Sequence, residues 1–421
     1  MLRRETGLAG AMDDVDLHAL AKRSATPLYV YCAESVRARI DDLHDALLGL
    51  DSLVCYAVKA NSNLAILGLM AEAGVGADIV SVGELRRCLR AGIPANRIVF
   101  SGVGKTGGEM VEALDAGIWK FNVESADELR TLQEVAQARD AIARVAVRIN
   151  PDVDARTHDK ISTGKSENKF GVSVAEARLW FAGVAGLPNL RLTGLHLHIG
   201  SQIMSLAPFR LAFERTAEFW RELAGAGHVI DSIDVGGGLG VCYRAGHDYP
   251  IEVVDYVATI REAFAGFAGR IVLEPGRHLV AEAGLLLTRV IRVKQTDSRT
   301  FLIVDAAMND LLRPSMYDAW HDVVALHDES RPSMNYDIVG PVCETSDAFG
   351  TDRVLPECRA GDLLAIKGAG AYGASMASTY NSRPLAAEVM VDGHRYSIVR
   401  KRQSLLEIVS GERLAKSWEM A

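Results

Sequence analysis

What this 421-residue chain lacks narrows its class before any motif is weighed. No apolar run approaches the ~18 residues of a membrane-spanning helix, so no membrane partner is expected. Residues 1–14 contain arginines but no apolar stretch of the secretory kind, so no signal peptide is expected. Basic residues are not in excess: 46 Lys and Arg stand against 54 Asp and Glu, a net charge of −8. That balance argues against a nucleic-acid partner, which would require a basic face. The six cysteines (Cys32, Cys55, Cys88, Cys242, Cys343 and Cys358) include no CxxC pair and no zinc-ligand spacing. Scattered cysteines in a large chain imply a reduced, cytoplasmic protein. His196 and His198 lie two apart on one strand face, with no third ligand nearby, so no metal is expected. No stretch is of low complexity, and the length allows two domains, one of them a large barrel.

What is present is an alternation. Apolar strand candidates at 53–58, 77–81, 97–101, 119–123, 143–149, 191–199, 232–235 and 270–273 are separated by amphipathic helical patterns. Eight such units over this span predict a TIM-type (β/α)8 barrel, placed here at residues 35–279. A polar stretch at 150–171, with Asp152, Asp154, Arg156, Lys160, Lys165 and Lys169, is too long for a plain connection. It reads equally as a functional loop over the barrel mouth or as a surface insert. After Arg277 the alternation ends, and short strands take over at 284–296, 300–304, 336–339, 363–366, 387–391 and 394–399. Asp392-Gly393 is a hairpin signal between the last two. Residues 1–34 and 280–421 are therefore expected to form a second, mainly β domain, sandwich- or barrel-like. The early strand Thr-Pro-Leu-Tyr-Val-Tyr at 26–31 falls outside the eight units and is expected to join it. The first ~25 residues and the tail after Ser410 carry no interpretable motif and are expected to be partly disordered at the N-terminus.

Barrel chemistry gathers at the C-terminal ends of the strands. There the sequence offers Lys59, closing the run Tyr-Ala-Val-Lys-Ala-Asn at 56–61, with Asp78 in the second strand. It also offers His198 followed by Gly200-Ser201, the Gly236-Gly237-Gly238 turn, and Glu274-Pro275-Gly276-Arg277. A lysine at a buried strand end is costly to desolvate unless it is used, and a neutral amine attacks carbonyls to form Schiff bases. Its ordinary reading is a side chain snorkelling to water. Successive glycines let backbone N–H groups approach an anion, and barrels bind phosphate after strands seven and eight. Arg277 adds a cation at the same edge. A carbonyl and a phosphate held across one barrel mouth point to pyridoxal 5′-phosphate (PLP), with Glu274 placed to keep the pyridine nitrogen protonated. The ordinary alternatives are an ion pair of Glu274 with Arg277 and a satisfied strand-end histidine at His198.

These stretches, with GADIVSVGEL, HLHIGSQ, DVGGGLG, LLRPSMYDAWH, GPVCETSD and GAYGASMASTYNSRP, resemble the fold-type III PLP decarboxylases, most closely their diaminopimelate branch. The matching runs extend from Tyr56 to Pro384. The resemblance implies that Lys59 carries PLP as a Schiff base and that His198 stacks on the ring. Asp78, Ser201, the Gly236–Gly238 turn, Gly276, Arg277 and Tyr372 complete the cofactor site, and Glu274 pairs with the ring nitrogen. Arg277, Arg313, Tyr317, Glu344 and Tyr372 bind substrate. Cys343 is the proton donor and reaches the site from the partner of a head-to-tail homodimer with shared sites. The implied reaction removes CO2 from meso-2,6-diaminopimelate to leave L-lysine, the last step of lysine biosynthesis. Arg313 would hold the distal carboxylate and Glu344 the distal ammonium.

Alternatives remain within and beyond that resemblance. Another decarboxylase of the fold type would act on ornithine, lysine, arginine or carboxynorspermidine. A racemase would place an arginine, not Glu274, at the ring nitrogen. A non-catalytic PLP carrier would be a barrel alone, and a Schiff-base aldolase would need no PLP. Cys343 reads ordinarily as a small buried hydrophobe, Arg313 and Tyr317 as a helix pair, and Asp347 as a surface charge.

Overall fold

A computed structural model describes residues 11–154, 169–326 and 330–415. The chain divides into two units, one of Ala33–Ala283 and one of residues up to Cys32 with Gly284 onward. Three strands come first: β1 (Ala11–Met12), β2 (Val15–Asp16) and β3 (Leu28–Cys32).

The first unit is a closed barrel. Its strands are β4 (Ser52–Ala57), β5 (Gly76–Ile79), β6 (Ile98–Phe100), β7 (Lys120–Val123), β8 (Ala143–Arg148), β9 (Leu190–His196), β10 (Ser232–Asp234) and β11 (Arg270–Leu273). All neighbours are parallel, and β11 pairs with β4 to close the ring. The strands are apolar and almost wholly buried because each is covered inside by the barrel core and outside by a helix. Helix starts are written into the sequence. Asn63, Ser81, Thr106, Ser125, Ser173 and Ser205 each accept a backbone N–H from the first turn of the helix that follows.

Six strands end one to three residues earlier than expected, and two of these carry candidate residues at their ends. β4 stops at Ala57, and Val58–Ala60 form a 3-10 turn, so Lys59 lies just beyond the strand. The Tyr56 hydroxyl fixes that turn by donating to the Asn61 carbonyl at 3.0 Å. β9 stops at His196, so His198 also lies beyond its strand. Its neighbour β10 gives out at Asp234, where Gly236 turns into the left-handed region at φ 69°, leaving 198–199 without a strand alongside. Of the polar stretch at 150–171, residues 155–168, with Arg156, Lys160 and Lys165, lie outside the described residues. Its base is closed by Asn150 N–H to the Val172 carbonyl at 2.8 Å.

The second unit is a nine-stranded sheet with the order β16-β15-β13-β12-β3-β18-β19, and with β14 and β17 leading off β12. These strands are β12 (Gly284–Gln295), β13 (Thr300–Val304), β14 (Val323–Ala325), β15 (Ser333–Val339), β16 (Ala348–Pro356), β17 (Leu363–Lys367), β18 (Ala387–Asp392) and β19 (Arg395–Arg400). β3 lies between β12 and β18, so the early strand is central to a sheet otherwise built from the C-terminal third. Its alternation is clean. Leu28, Val30 and Cys32 enter the apolar core with Leu285, Leu287 and Val389, while Tyr29 and Tyr31 point the other way. Both tyrosines are buried, and their hydroxyls donate to the Asp310 carbonyl at 2.5 Å and to Glu388 at 2.6 Å. Residues 11–24, for which the sequence suggested no structure, form the β1–β2 hairpin and the helix Leu17–Ser24. Asp16 caps that helix, and Leu17, Leu20 and Ala21 are buried in the same core.

Candidate active site

At the barrel mouth the strand ends bring together residues far apart in sequence. Lys59 Nζ donates to Asp78 Oδ2 at 2.7 Å. Asp78 is fully buried. Burial and the nearby Glu274 charge raise its pKa, against the lowering effect of the Lys59 ammonium. Glu274 follows β11 and is also buried. Its Oε1 accepts from Asn122 at 3.2 Å and Ser101 at 3.4 Å, and its Oε2 faces His196 Nε2 at 3.3 Å. Burial alone would raise this carboxyl, but His196 and the Lys59 ammonium outweigh it and hold the group ionised, below the usual carboxylate range.

Across the same mouth the glycine turn forms a close-packed backbone cradle. Gly236 and Gly238 have φ of 69° and 110°, which L side chains rarely adopt. A Cβ on Gly236 would strike the Leu197 carbonyl, one on Gly237 the Glu274 carbonyl, and one on Gly238 the Gly200 carbonyl at 2.6 Å. Gly276 is similarly confined, its absent Cβ 3.0 Å from Ala57 and Ala60. The Gly237 N–H donates to His198 Nδ1 at 3.1 Å, which fixes the neutral imidazole with its proton on Nε2. Burial, then Arg148 and Lys59, push the His198 pKa down to about 3. Arg277 is buried and reaches the Ser201 hydroxyl at 3.0 Å and the Tyr243 hydroxyl at 2.6 Å. An amine beside one carboxylate, an ionised carboxylate opposite and a glycine cradle with a guanidinium suit a ligand bearing a carbonyl, a basic nitrogen and an anion. Those are the three functional groups of PLP.

The remaining expected residues lie in the sheet unit. Arg313 opens the short helix Arg313–Tyr317 and is buried. Its Nη1 donates to His321 Nε2 at 2.7 Å, while His321 Nδ1 donates to the Lys367 carbonyl at 2.7 Å. The Gly-Pro-Val-Cys-Glu-Thr-Ser-Asp loop at 340–347 is tied to that helix by Ser315 Oγ donating to the Ser346 carbonyl at 2.6 Å. Cys343 and Glu344 are exposed on it. Glu344 accepts from Ser346 at 2.8 Å and Tyr380 at 2.9 Å, and these two hydroxyls lower its pKa. Asp347 is buried, not a surface charge. It closes the loop by accepting the Met308 and Val342 N–H groups at 2.6 and 2.7 Å. Tyr372 is half-buried with φ 55°, an unusual conformation for a bulky residue and a mark of a constrained site.

Sequence reasoning missed Ser101, Asn122, Asp234, Tyr243 and His321. It also read His196 as having no third ligand-type neighbour, whereas the barrel brings both Asp234 and Glu274 to it. Ser101, Asn122, His196 and Asp234 all sit at or beside strand C-termini, so the strand-end rule that selected Lys59 also covers them. Among the described residues no helix is long and apolar enough to cross a membrane.

Residues 33–281 match the family described as pyridoxal-dependent decarboxylase, pyridoxal binding domain. The chain is 48% identical over 404 residues to a diaminopimelate decarboxylase of Zymomonas mobilis, covering 95% of this chain and 96% of that one. A diaminopimelate decarboxylase of Helicobacter pylori, solved with L-lysine, superposes with a TM-score of 0.90 at 43% identity, covering 94% of this chain and 98% of that one. One from M. jannaschii, also solved with L-lysine, gives a TM-score of 0.92 at 36% identity, covering 96% of both chains.

Proposed function

Since this chain belongs to the pyridoxal-dependent decarboxylase family, we propose that it decarboxylates diaminopimelate to lysine, with PLP as the cofactor and the meso isomer as substrate. The observation that carries the reaction class is that Lys59, held by Asp78, and the buried Glu274, accepting from Asn122 and Ser101, sit at the ends of adjacent barrel strands. A racemase would want a weaker electron sink, and an acid held ionised at the ring nitrogen favours the strong one.

Bound PLP supplies an aldehyde that takes up amines and a protonated ring that accepts the electrons released as CO2 leaves. Lys59, its amine held beside Asp78, is the residue that would hold that aldehyde. Glu274 keeps the proton at the ring nitrogen. His198, whose pKa burial pushes down and whose Nδ1 accepts from Gly237, would lie against the ring as a neutral imidazole. Asp78 holds Lys59 in place. Ser201, Gly236, Gly237, Gly238, Gly276 and Arg277 bind the phosphate through N–H, hydroxyl and guanidinium groups, with Tyr372 as a further partner. Arg277 and Tyr317 help hold the substrate. Arg313 receives the distal carboxylate, because a guanidinium matches a carboxylate in two parallel bonds. Glu344, already ionised, receives the distal ammonium. Cys343 returns a proton to the α-carbon. Its exposure on its own unit supports a thiol contributed by the partner subunit of a homodimer with shared sites. We place the enzyme in the cytoplasm.

The test is CO2 release from meso-diaminopimelate against lysine, ornithine and carboxynorspermidine, with added PLP. The expected protein is yellow, bleaches with borohydride and prefers diaminopimelate. A colourless preparation that takes up no PLP would overturn the cofactor, and a preference for another substrate would overturn the branch.

A further inference from the structure

The carboxylate of Glu274 has two buried neighbours that the mechanism above does not use. His196, Asp234 and Glu274 lie at the ends of the adjacent strands β9, β10 and β11, and their donor atoms all fall within 4.8 Å of one another. Asp234 and Glu274 are both buried, so two carboxyl groups share one small space shielded from water. Two carboxyl groups so placed cannot both ionise cheaply, so one keeps a proton.

The hydrogen bonds decide which one. Glu274 faces three donors, from Asn122, Ser101 and His196. Asp234 accepts one, the Gly236 N–H at 2.9 Å on Oδ1. Its Oδ2 is buried and finds no donor among the described residues. An ionised oxygen in that position bears an uncompensated desolvation cost, whereas an O–H turned toward Glu274 is satisfied. Burial first, and then the Glu274 charge, raise the Asp234 pKa well above its ordinary value, in agreement. His196 follows the same logic. Its Nδ1 is buried without a partner among the described residues, so its ring proton belongs on Nε2, facing Glu274.

We infer that Asp234 and His196 are positioning residues: each donates a proton-bearing atom to the Glu274 carboxylate, and together they fix a single negative charge there. The inference rests on the reading of Glu274 as the partner of the ring nitrogen. A carboxylate receiving four donors is a poor base, so the proton it shares with the ring stays on the ring. The other titratable groups facing this cluster are Asp78, Lys59, Lys120, the neutral His198, the Cys55 thiol and the Tyr256 hydroxyl, and none of them supplies Asp234 Oδ2 with a hydrogen bond.

Two measurements test this. In infrared spectra at neutral pH, wild-type protein labelled with 13C-aspartate should show an isotope-shifted carbonyl stretch of a protonated carboxyl, which Asp234→Asn removes. In PLP-loaded protein, Asp234→Leu and His196→Leu should each lower kcat about tenfold, the loss of one hydrogen bond to a charged group, and shift the pH midpoint of the cofactor absorbance. Asp234→Asn, which keeps both an acceptor for Gly236 and a donor for Glu274, should restore most of what Asp234→Leu loses. An absent labelled band in the wild type, or an Asn variant as impaired as the Leu variant, would overturn the proposal. If Asp234→Asn does not fold, the wild-type band decides. Failure to bind PLP would strike the cofactor reading instead, and the infrared result would still stand for or against Asp234.

Discussion

Lys59 Nζ lies 2.7 Å from Asp78 Oδ2, and the two ends of that pair differ in exposure, the lysine side chain at 38% and the aspartate at 0%. The buried partner therefore dictates where the mobile one rests. Asp78→Asn removes the anion while keeping the shape. The expected result is a fall in kcat/KM of roughly ten- to a hundredfold, the worth of one charge-assisted hydrogen bond at ~1.5–3 kcal/mol. Steady-state kinetics at saturating PLP measure it, and unchanged values would show that the pair does not orient the amine.

His198 makes stability depend on pH in a stated direction. Its folded pKa is pushed down to about 3, while an unfolded imidazole takes up its proton near pH ~6.5. The folded state thus forgoes a proton that the unfolded state gains. The stabilisation is complete above the unfolded value and is lost as pH falls from there toward 3. Cofactor-free protein should show a falling Tm across that window, and His198→Asn should flatten the fall. A variant with the wild-type slope would assign the pH dependence elsewhere.

Cys343 tests the proton donor. Cys343→Ala should lose most turnover, while the cofactor stays bound and its absorbance is unchanged. Mixing that variant with a Lys59→Ala variant should restore part of the activity, because a mixed dimer with shared sites would contain one intact site. Normal turnover in the single variant would reject the assignment, and no recovery in the mixture would reject sharing.

Arg313 is held by His321, which accepts from its Nη1 and is itself oriented by the Lys367 carbonyl. Arg313→Ala should reduce diaminopimelate turnover by about tenfold or more without moving the cofactor spectrum. His321→Leu should do the same more weakly, mainly in KM. Equal turnover of wild type and Arg313→Ala would remove the distal-carboxylate role.

Asp347 predicts a local effect. Replacing it with Ala strips the Met308 and Val342 amides of their acceptors at a cost of about 1–3 kcal/mol. Hydrogen exchange at those two amides should accelerate, with little change in the barrel. Unaltered protection would mean that the loop is held by other contacts.

The barrel is legible because its short, mainly apolar strands alternate with helical patterns, and six of those helices begin at a Ser, Thr or Asn that caps them. The sheet unit is less so. β16 is written Ala-Phe-Gly-Thr-Asp-Arg-Val-Leu-Pro, and its central Gly350, Thr351 and Asp352 read as a turn. Pairing with β15 overrides that local preference, with irregular register about Asp337. The helix Leu17–Ser24 escapes notice because its apolar face is only Leu17, Leu20 and Ala21. At the mouth, the residues around Glu274 were hidden by distance along the chain. Ser101 and Asn122 precede it by 173 and 152 positions, and nothing local to either announces the meeting.

The place of β3 has a consequence for biosynthesis. This strand leaves the ribosome well before its two sheet neighbours, β12 and β18, which are encoded some 250 and 360 residues later. At ~5–20 residues per second, the nascent Leu-Tyr-Val-Tyr-Cys waits with both edges bare for tens of seconds while the barrel is completed behind it. Chains stalled or cut after the barrel would carry that sticky ribbon permanently, a natural handle for chaperones and a seed for aggregation.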